Sequence, residues 1–137
     1  MVNFFAGNEL ELFLRLLLAA VFGWLIGLER ETIGKTAGTR TFALVSLGAA
    51  LFSLSSVGGV QPIAAGIGFL GAGLIIFREG HIEGLTTAAA LWAVAALGMI
   101  LGQGLYVLGT LTALLILLIL FLMRIIHPEC WKEDKKT

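Results

Sequence analysis

The sequence is poor in the residues that build reactive or metal-binding centres: it has one cysteine, two histidines and one aspartate. The lone Cys130 excludes a structural disulfide within one chain. The histidines, His81 and His127, form no metal-ligand cluster with it, and no Ser/His/Asp set can be assembled because the only aspartate is Asp134. We therefore expect a protein that is not an enzyme and has no certain cofactor.

Charge is also scarce. Only 13% of the residues are charged, 58% are hydrophobic, and the mean hydropathy is +0.99. These values lie outside the range of ordinary soluble domains and predict an integral membrane protein, which has the lipid bilayer as a partner. The net charge is zero, so nothing in the composition indicates binding to nucleic acid.

Five apolar runs are long enough, or nearly long enough, to cross a bilayer as helices. They cover residues 12–28, 41–56, 63–77, 85–101 and 105–123. The prediction is an all-α membrane protein with five transmembrane helices in a domain at 1–126, followed by a short charged cytoplasmic tail at 127–137. An alternative topology has four spans, with the third run re-entrant.

Basic residues favour the cytoplasmic side of a membrane, so their placement tests the five-span topology. With five spans, every lysine and arginine except Arg15 falls on one side, in the first loop, the third loop and the tail. This places the N-terminus outside and the C-terminus in the cytoplasm. Four spans would leave the third loop and the tail on opposite faces.

The first two spans resemble the next two. "GTRTFALVSLGAAL" (38–51) aligns with "GLTTAAALWAVAAL" (84–97) at an offset of 46 residues, and "AAVFGWL" (19–25) aligns with "AAGIGFL" (64–70) at an offset of 45. The alignment predicts a parallel repeat of a two-helix hairpin, related by a pseudo-twofold axis along the membrane normal, with a fifth helix outside the repeat. The two cytoplasmic turns would then face each other.

Both predicted turns are rich in charge. Their carboxylates could hold a hard divalent cation such as Mg²⁺ through retained waters, while their arginines could lock the turns and their threonines could cap helices. Structural locking and ion binding therefore both remain open. The candidate metal ligands are Glu29, Glu31, Glu79 and Glu83. The other candidate residues of the turns are Arg30, Lys35, Arg40, Thr41, Arg78, Thr86 and Thr87.

Two further features lie within the predicted spans. "GIGFLGAG" (66–73) contains G-x-G-x-x-G, but no strand precedes it, so we predict a helix-packing role for Gly66, Gly68, Gly71 and Gly73 rather than dinucleotide binding. Arg15 is a charge inside the first span, where Glu11 precedes it by one helical turn. It would serve either as an anchor at the outer membrane edge or in a polar pathway.

Three ordered stretches, "GLERETIGKTAGTRTFALVSLGAAL" (27–51), "IAAGIGFLGAG" (63–73) and "GLTTAAALWAVAALGMILGQG" (84–104), together resemble the MgtC/SapB family of bacterial inner-membrane proteins. The resemblance implies a multi-pass, five-helix membrane domain with a role in magnesium homeostasis, stress adaptation and virulence. It also implies a membrane partner, which for some members is the F-type ATP synthase.

This chain departs from the family pattern at Glu29, where members usually carry an aspartate, and at 57–66, which lacks the usual acidic residue and arginine. We do not carry over regulation through the cytoplasmic C-terminal domain of many members, because the sequence continues only to Thr137. The leading hypothesis is action through contacts with a membrane partner or with a second copy. The alternatives are a small Mg²⁺ transporter or channel that works as a homo-oligomer, and a purely architectural subunit.

Overall fold

A computed structural model of the chain describes residues 8–55, 61–78 and 80–126. Its helices are α1 (Glu9–Thr32), α2 (Thr39–Ser55), α3 (Gln61–Leu74), α4 (Leu85–Gly102) and α5 (Tyr106–Ile126), and the strands β1 (Ile76–Arg78) and β2 (His81–Glu83) join α3 to α4. Within the described residues, the prediction of five helices is confirmed. Helices α1 and α4 are long and apolar enough to cross a membrane, and shorter apolar helices are formed by α2, α3 and the part of α5 from Tyr106 to Leu122. The predicted tail at 127–137, including Cys130, and Glu79 lie outside the described residues.

A β-hairpin replaces the predicted end of the third helix, which the apolar run extended to Phe77. Strand β1 pairs antiparallel with β2, and Phe77 lies opposite Ile82. Gly84 closes the hairpin with a φ of +82°, and a Cβ added there would lie 1.9 Å from the carbonyl oxygen of Leu74. Hydropathy alone could not reveal this change, because a short apolar run suits a strand as well as a helix.

Helix α4 is the centre of the bundle and contacts each of the other four helices. Leu91, Val94, Leu97 and Leu101 are its largest buried apolar side chains, and they belong to the same core cluster as residues of α1, α2 and α5. The surrounding helices leave large apolar side chains exposed, among them Phe69, with 81% of its surface exposed. An apolar exterior of this kind matches a lipid environment better than water.

Glycines bring the backbones of α1, α2 and α4 into direct contact. A Cβ added at Gly23 of α1 would lie 2.6 Å from the carbonyl oxygen of Phe42, and one added at Gly98 of α4 would lie 2.1 Å from the carbonyl oxygen of Ser46. Gly27 and Gly102 make similarly close approaches one turn further along each helix. The G-xxx-G faces of α1 and α4 therefore both pack directly against α2, as is common between membrane helices.

The two helix pairs of the predicted repeat are not packed alike. Gly98 contacts Ser46 and Gly102 contacts Ala50, so α2 and α4 run parallel, but these partners are 52 residues apart rather than the 46 of the sequence alignment. The difference of six residues shifts α4 by about 9 Å toward the end of the bundle that carries Arg30. The two charged turns therefore lie at different heights, which departs from the symmetric arrangement that the repeat predicts.

Candidate functional site

The charged turn, residues 29–40, contains a buried ion pair at the end of α1. Arg30 is 4% exposed, and its Nε donates a hydrogen bond to Oε2 of Glu29 at 2.5 Å. A buried guanidinium is costly unless a partner neutralises it, and Glu29 supplies that charge. The other carboxylate oxygen of Glu29, Oε1, is buried and has no hydrogen-bond partner among the described residues. A polar ligand could still use this buried acceptor.

Glu31 caps the next helix. Its Oε2 accepts hydrogen bonds from the backbone N–H of Thr39 at 2.8 Å and from Oγ1 of the same residue at 2.5 Å. Thr39 begins α2, so the carboxylate satisfies a free donor at a helix N-terminus, where the helix dipole also favours negative charge. These two hydrogen bonds, assisted by the charge of Arg40, lower the pKa of the Glu31 carboxyl, which lies beyond the apolar run 12–28.

The loop between the two helices folds back over Arg30. The backbone N–H of Lys35 donates to the carbonyl oxygen of Arg30 at 3.0 Å, and Ala37 is buried. Gly38 leaves room for the capping carboxylate, because a Cβ there would lie 2.7 Å from Oε2 of Glu31. The remaining predicted residues of this turn, Arg40 and Thr41, are exposed. The geometry of the charged turn fits the locking role that the sequence left open.

The second predicted turn coincides with the hairpin and the start of α4. Arg78 lies in β1 and Glu83 in β2, Thr86 is exposed and Thr87 is buried. Within the described residues, no three His, Cys, Asp or Glu side chains come close enough to hold a metal ion. Two of the four predicted ligands, Glu29 and Glu31, have partners within the charged turn. Because Glu79 lies outside the described residues, the predicted Mg²⁺ site stays a prediction.

Arg15 belongs to a polar cluster at the opposite end of the bundle. It forms an ion pair with Glu11 and donates hydrogen bonds at 3.2 Å to the hydroxyl of Tyr106 and to the carbonyl oxygen of Gly102. Gly104, with a φ of +81°, lets the loop pass the guanidinium, since an added Cβ would lie 2.8 Å from Cζ of Arg15. Arg15 thereby joins α1 to the end of α4 and the start of α5, and its role as an anchor or in a polar pathway stays a prediction.

The glycines predicted for packing differ in their surroundings. Gly71 lies against Ala88, since a Cβ added at Gly71 would lie 3.6 Å from the Cβ of Ala88. In contrast, Gly66, Gly68 and Gly73 face open space within the described chain. Their predicted role therefore remains a prediction for contacts with another molecule. The sequence analysis missed the two glycine pairs that do pack, 23/27 and 98/102, although their spacing of four residues was a visible signal.

Buried Ser46 was also missed. It lies where α2 is held between Gly23 and Gly98, and its hydroxyl has no hydrogen-bond partner among the described residues. No motif marks a single serine in an apolar helix, so only the packing of the helices reveals it. The helices are in close contact at this position, because a Cβ added at Gly23 would lie 2.7 Å from the Cβ of Ser46 and one added at Gly98 would lie 2.1 Å from its carbonyl oxygen.

The sequence is similar to that of several known proteins. The sequence model of the MgtC family matches residues 16–128. The chain is 42% identical to YhiD of Escherichia coli K12, a protein named as a candidate magnesium transporter, over 80% of this chain and 59% of YhiD. It is 40% identical to SrpB of Synechococcus elongatus, over 91% of this chain and 81% of SrpB.

The chain is also 49% identical to MgtC of Salmonella typhimurium strain LT2, over 66% of this chain and 43% of MgtC. It therefore spans only about half of the length of some of the relatives it matches. No solved structure matches the chain.

Proposed function

Because the chain belongs to the MgtC family, we propose that this membrane protein is a multi-pass protein of the bacterial inner membrane that acts in magnesium or cation homeostasis without catalysing a reaction. It would act through contacts with a membrane partner or with a second copy of itself. The names of its relatives support the magnesium setting, and the placement of its basic residues supports an outside N-terminus and a cytoplasmic C-terminus.

The closed packing of α1, α2 and α4 is the observation that carries this proposal. Around Ser46, the backbones of neighbouring helices approach so closely that added methyl groups at Gly23 and Gly98 would overlap α2. The carboxylates at the end of α1 are engaged by Arg30 and Thr39. A single copy thus has a tight core, and both carboxylates at the end of α1 accept hydrogen bonds within the chain, which favours signalling by contact over carrying an ion through its own centre.

The F-type ATP synthase, the partner that the family resemblance suggests, gives the proposal a direct test. Inverted membrane vesicles from a deletion strain, with and without the restored full chain, would be compared for ATP-driven proton pumping after growth in low magnesium. We expect slower pumping when the chain is present at a level verified by immunoblot. Equal pumping rates in the two vesicle preparations would contradict action on that partner, and co-purification would then be needed to identify another.

A second candidate is a Mg²⁺ transporter or channel that works as a homo-oligomer. The unpartnered, buried Oε1 of Glu29 and the name of YhiD favour it. Mg²⁺ uptake into proteoliposomes, abolished by Glu29→Gln but retained by the control Glu9→Gln, an exposed acid at the other end of α1, would support this candidate. Uptake equal to that of protein-free liposomes, with folded protein recovered, would leave the contact mechanism as the better account.

A further inference from the structure

The hairpin β1–β2 has one apolar face and one polar face. Side chains alternate between the two faces of a strand, so Phe77 and Ile82, which are paired directly, share one face. His81 and Glu83 flank Ile82 and therefore lie on the other face, together with Ile76. Phe77 is 74% exposed and Ile82 is 61% exposed, so the other described residues do not cover the apolar face.

Helix α3 is too short to cross a bilayer by itself. Its 14 residues extend about 21 Å, whereas the hydrocarbon core of a membrane is about 30 Å thick. The sequence from Pro62 to Phe77 contains no charged residue, so the apolar surface of α3, with Phe69 exposed, continues without interruption into β1. The three extended residues of β1 add about 10 Å beyond the helix, which carries the chain toward the membrane interface.

The base of the hairpin is held against the end of α3. A Cβ at Gly84 would overlap the carbonyl oxygen of Leu74, so the chain returns in contact with the point where α3 ends. This contact fixes the height of the hairpin relative to α3. A two-stranded hairpin has two open edges, and the unpaired backbone groups of those edges cannot be satisfied within hydrocarbon. They can be satisfied among lipid headgroups and water.

We propose that the hairpin is a membrane-interface anchor whose apolar face inserts at the boundary between acyl chains and headgroups. Phe77 and Ile82 contact the acyl chains, while His81 and Glu83 face headgroups and water. The occupant of the apolar face is lipid, because that face continues the exposed apolar surface of α3 and its opposite face is polar. The inference rests on the proposed placement of α3 in the membrane, which the experiment checks separately.

The test uses spin labels on the full chain in liposomes of phosphatidylethanolamine and phosphatidylglycerol, with Cys130 replaced by serine. Labels are attached singly after Phe77→Cys, Ile82→Cys, His81→Cys and Glu83→Cys. Collisions with oxygen, which concentrates in lipid, are compared with collisions with a water-soluble nickel chelate. Phe69→Cys on α3 is the lipid reference and exposed Thr36→Cys in the charged turn is the water reference.

We expect the ratio of oxygen to nickel collisions to be high at positions 77 and 82 and low at 81 and 83, a period of two. Nickel accessibility at all four positions would place the hairpin in water and overturn the proposal. Shielding of 77 and 82 from both reagents would show that protein covers the face, which also overturns it. A lipid-like signal at Phe69 in either case would leave the membrane placement of α3 standing, whereas its loss would count against that placement.

Discussion

Individual side chains stabilise the charged turn, and Glu31 is the clearest example. We expect Glu31→Gln to lower the thermal stability of the protein, because the neutral amide cannot match a carboxylate at the N-terminus of α2. The folded-state pKa of this carboxyl is lowered, so its stabilisation is complete above its unfolded value of 4.5 and is lost as the pH falls below that value through the folded pKa.

Thermal unfolding in detergent from pH 7 to pH 3 measures this effect. The difference in melting temperature between the wild type and Glu31→Gln should be largest above the unfolded pKa and should shrink below it. Glu83→Gln, an exposed acid on the hairpin, is the control and should change little. A difference that stays constant across the range would show that ionisation of Glu31 does not stabilise α2.

The buried pair Glu29–Arg30 should respond differently, because its charges depend on each other. Arg30→Met is expected to destabilise the protein by about 3 kcal/mol, since it leaves the carboxylate of Glu29 without its partner in a buried site. The double variant Glu29→Gln/Arg30→Met should recover much of that loss. Exposed Arg40→Met is the control, with an effect within about 0.5 kcal/mol. Additive losses in a double-mutant cycle would rule out coupling between the two side chains.

At the scale of the element, the crossing of α2 and α4 depends on backbone contact. We expect Gly98→Ala to cost about 1–3 kcal/mol in the free energy of unfolding, because the new methyl group would meet the backbone of Ser46 and force the helices apart. Gly48→Ala is the matched control, since an added Cβ there has nothing within 4 Å. It should be neutral or stabilising, as alanine favours a helix more than glycine does. Equal effects of the two substitutions in a detergent unfolding titration would contradict close packing at Gly98.

The helices could be predicted from the sequence, because a long apolar run has few alternative structures. The hairpin between two helices and the contacts that join neighbouring helices could not. The hairpin at β1–β2 was missed because hydropathy does not distinguish an extended apolar segment from a helical one. The sequence predicted packing glycines in the glycine-rich run of α3. A glycine packs only where its face of the helix meets a neighbouring helix, and Gly23 and Gly98 lie on such faces. The charged turn was located correctly in sequence, but only the fold shows that Glu31 caps α2 while Glu29 neutralises Arg30.

At the scale of the whole molecule, the helix bundle has two polar ends that are built from different sets of polar residues. One end carries the charged turn, and the other carries Arg15 with Glu11 and Tyr106. Fifteen residues of α1, or about 22 Å, separate Arg15 from Arg30, so the proposed membrane placement would put both charges near the edges of a hydrocarbon core about 30 Å thick. Among the side chains that the structure describes, Arg15 and Arg30 are both paired with glutamates, and α4 fills the space between the two ends.

The side of the membrane that each end faces is the last prediction. In cells whose chain carries Cys130→Ser, a membrane-impermeant maleimide added from outside should label Gln103→Cys, which is exposed next to the Arg15 end. It should label Thr36→Cys and His81→Cys only in inverted vesicles, because the basic residues favour the cytoplasmic side. If the third run were re-entrant, position 81 would react from outside and 103 only in inverted vesicles. Labelling of position 36 from outside would show that the orientation is the reverse of the predicted one. These three sites therefore distinguish the possible topologies.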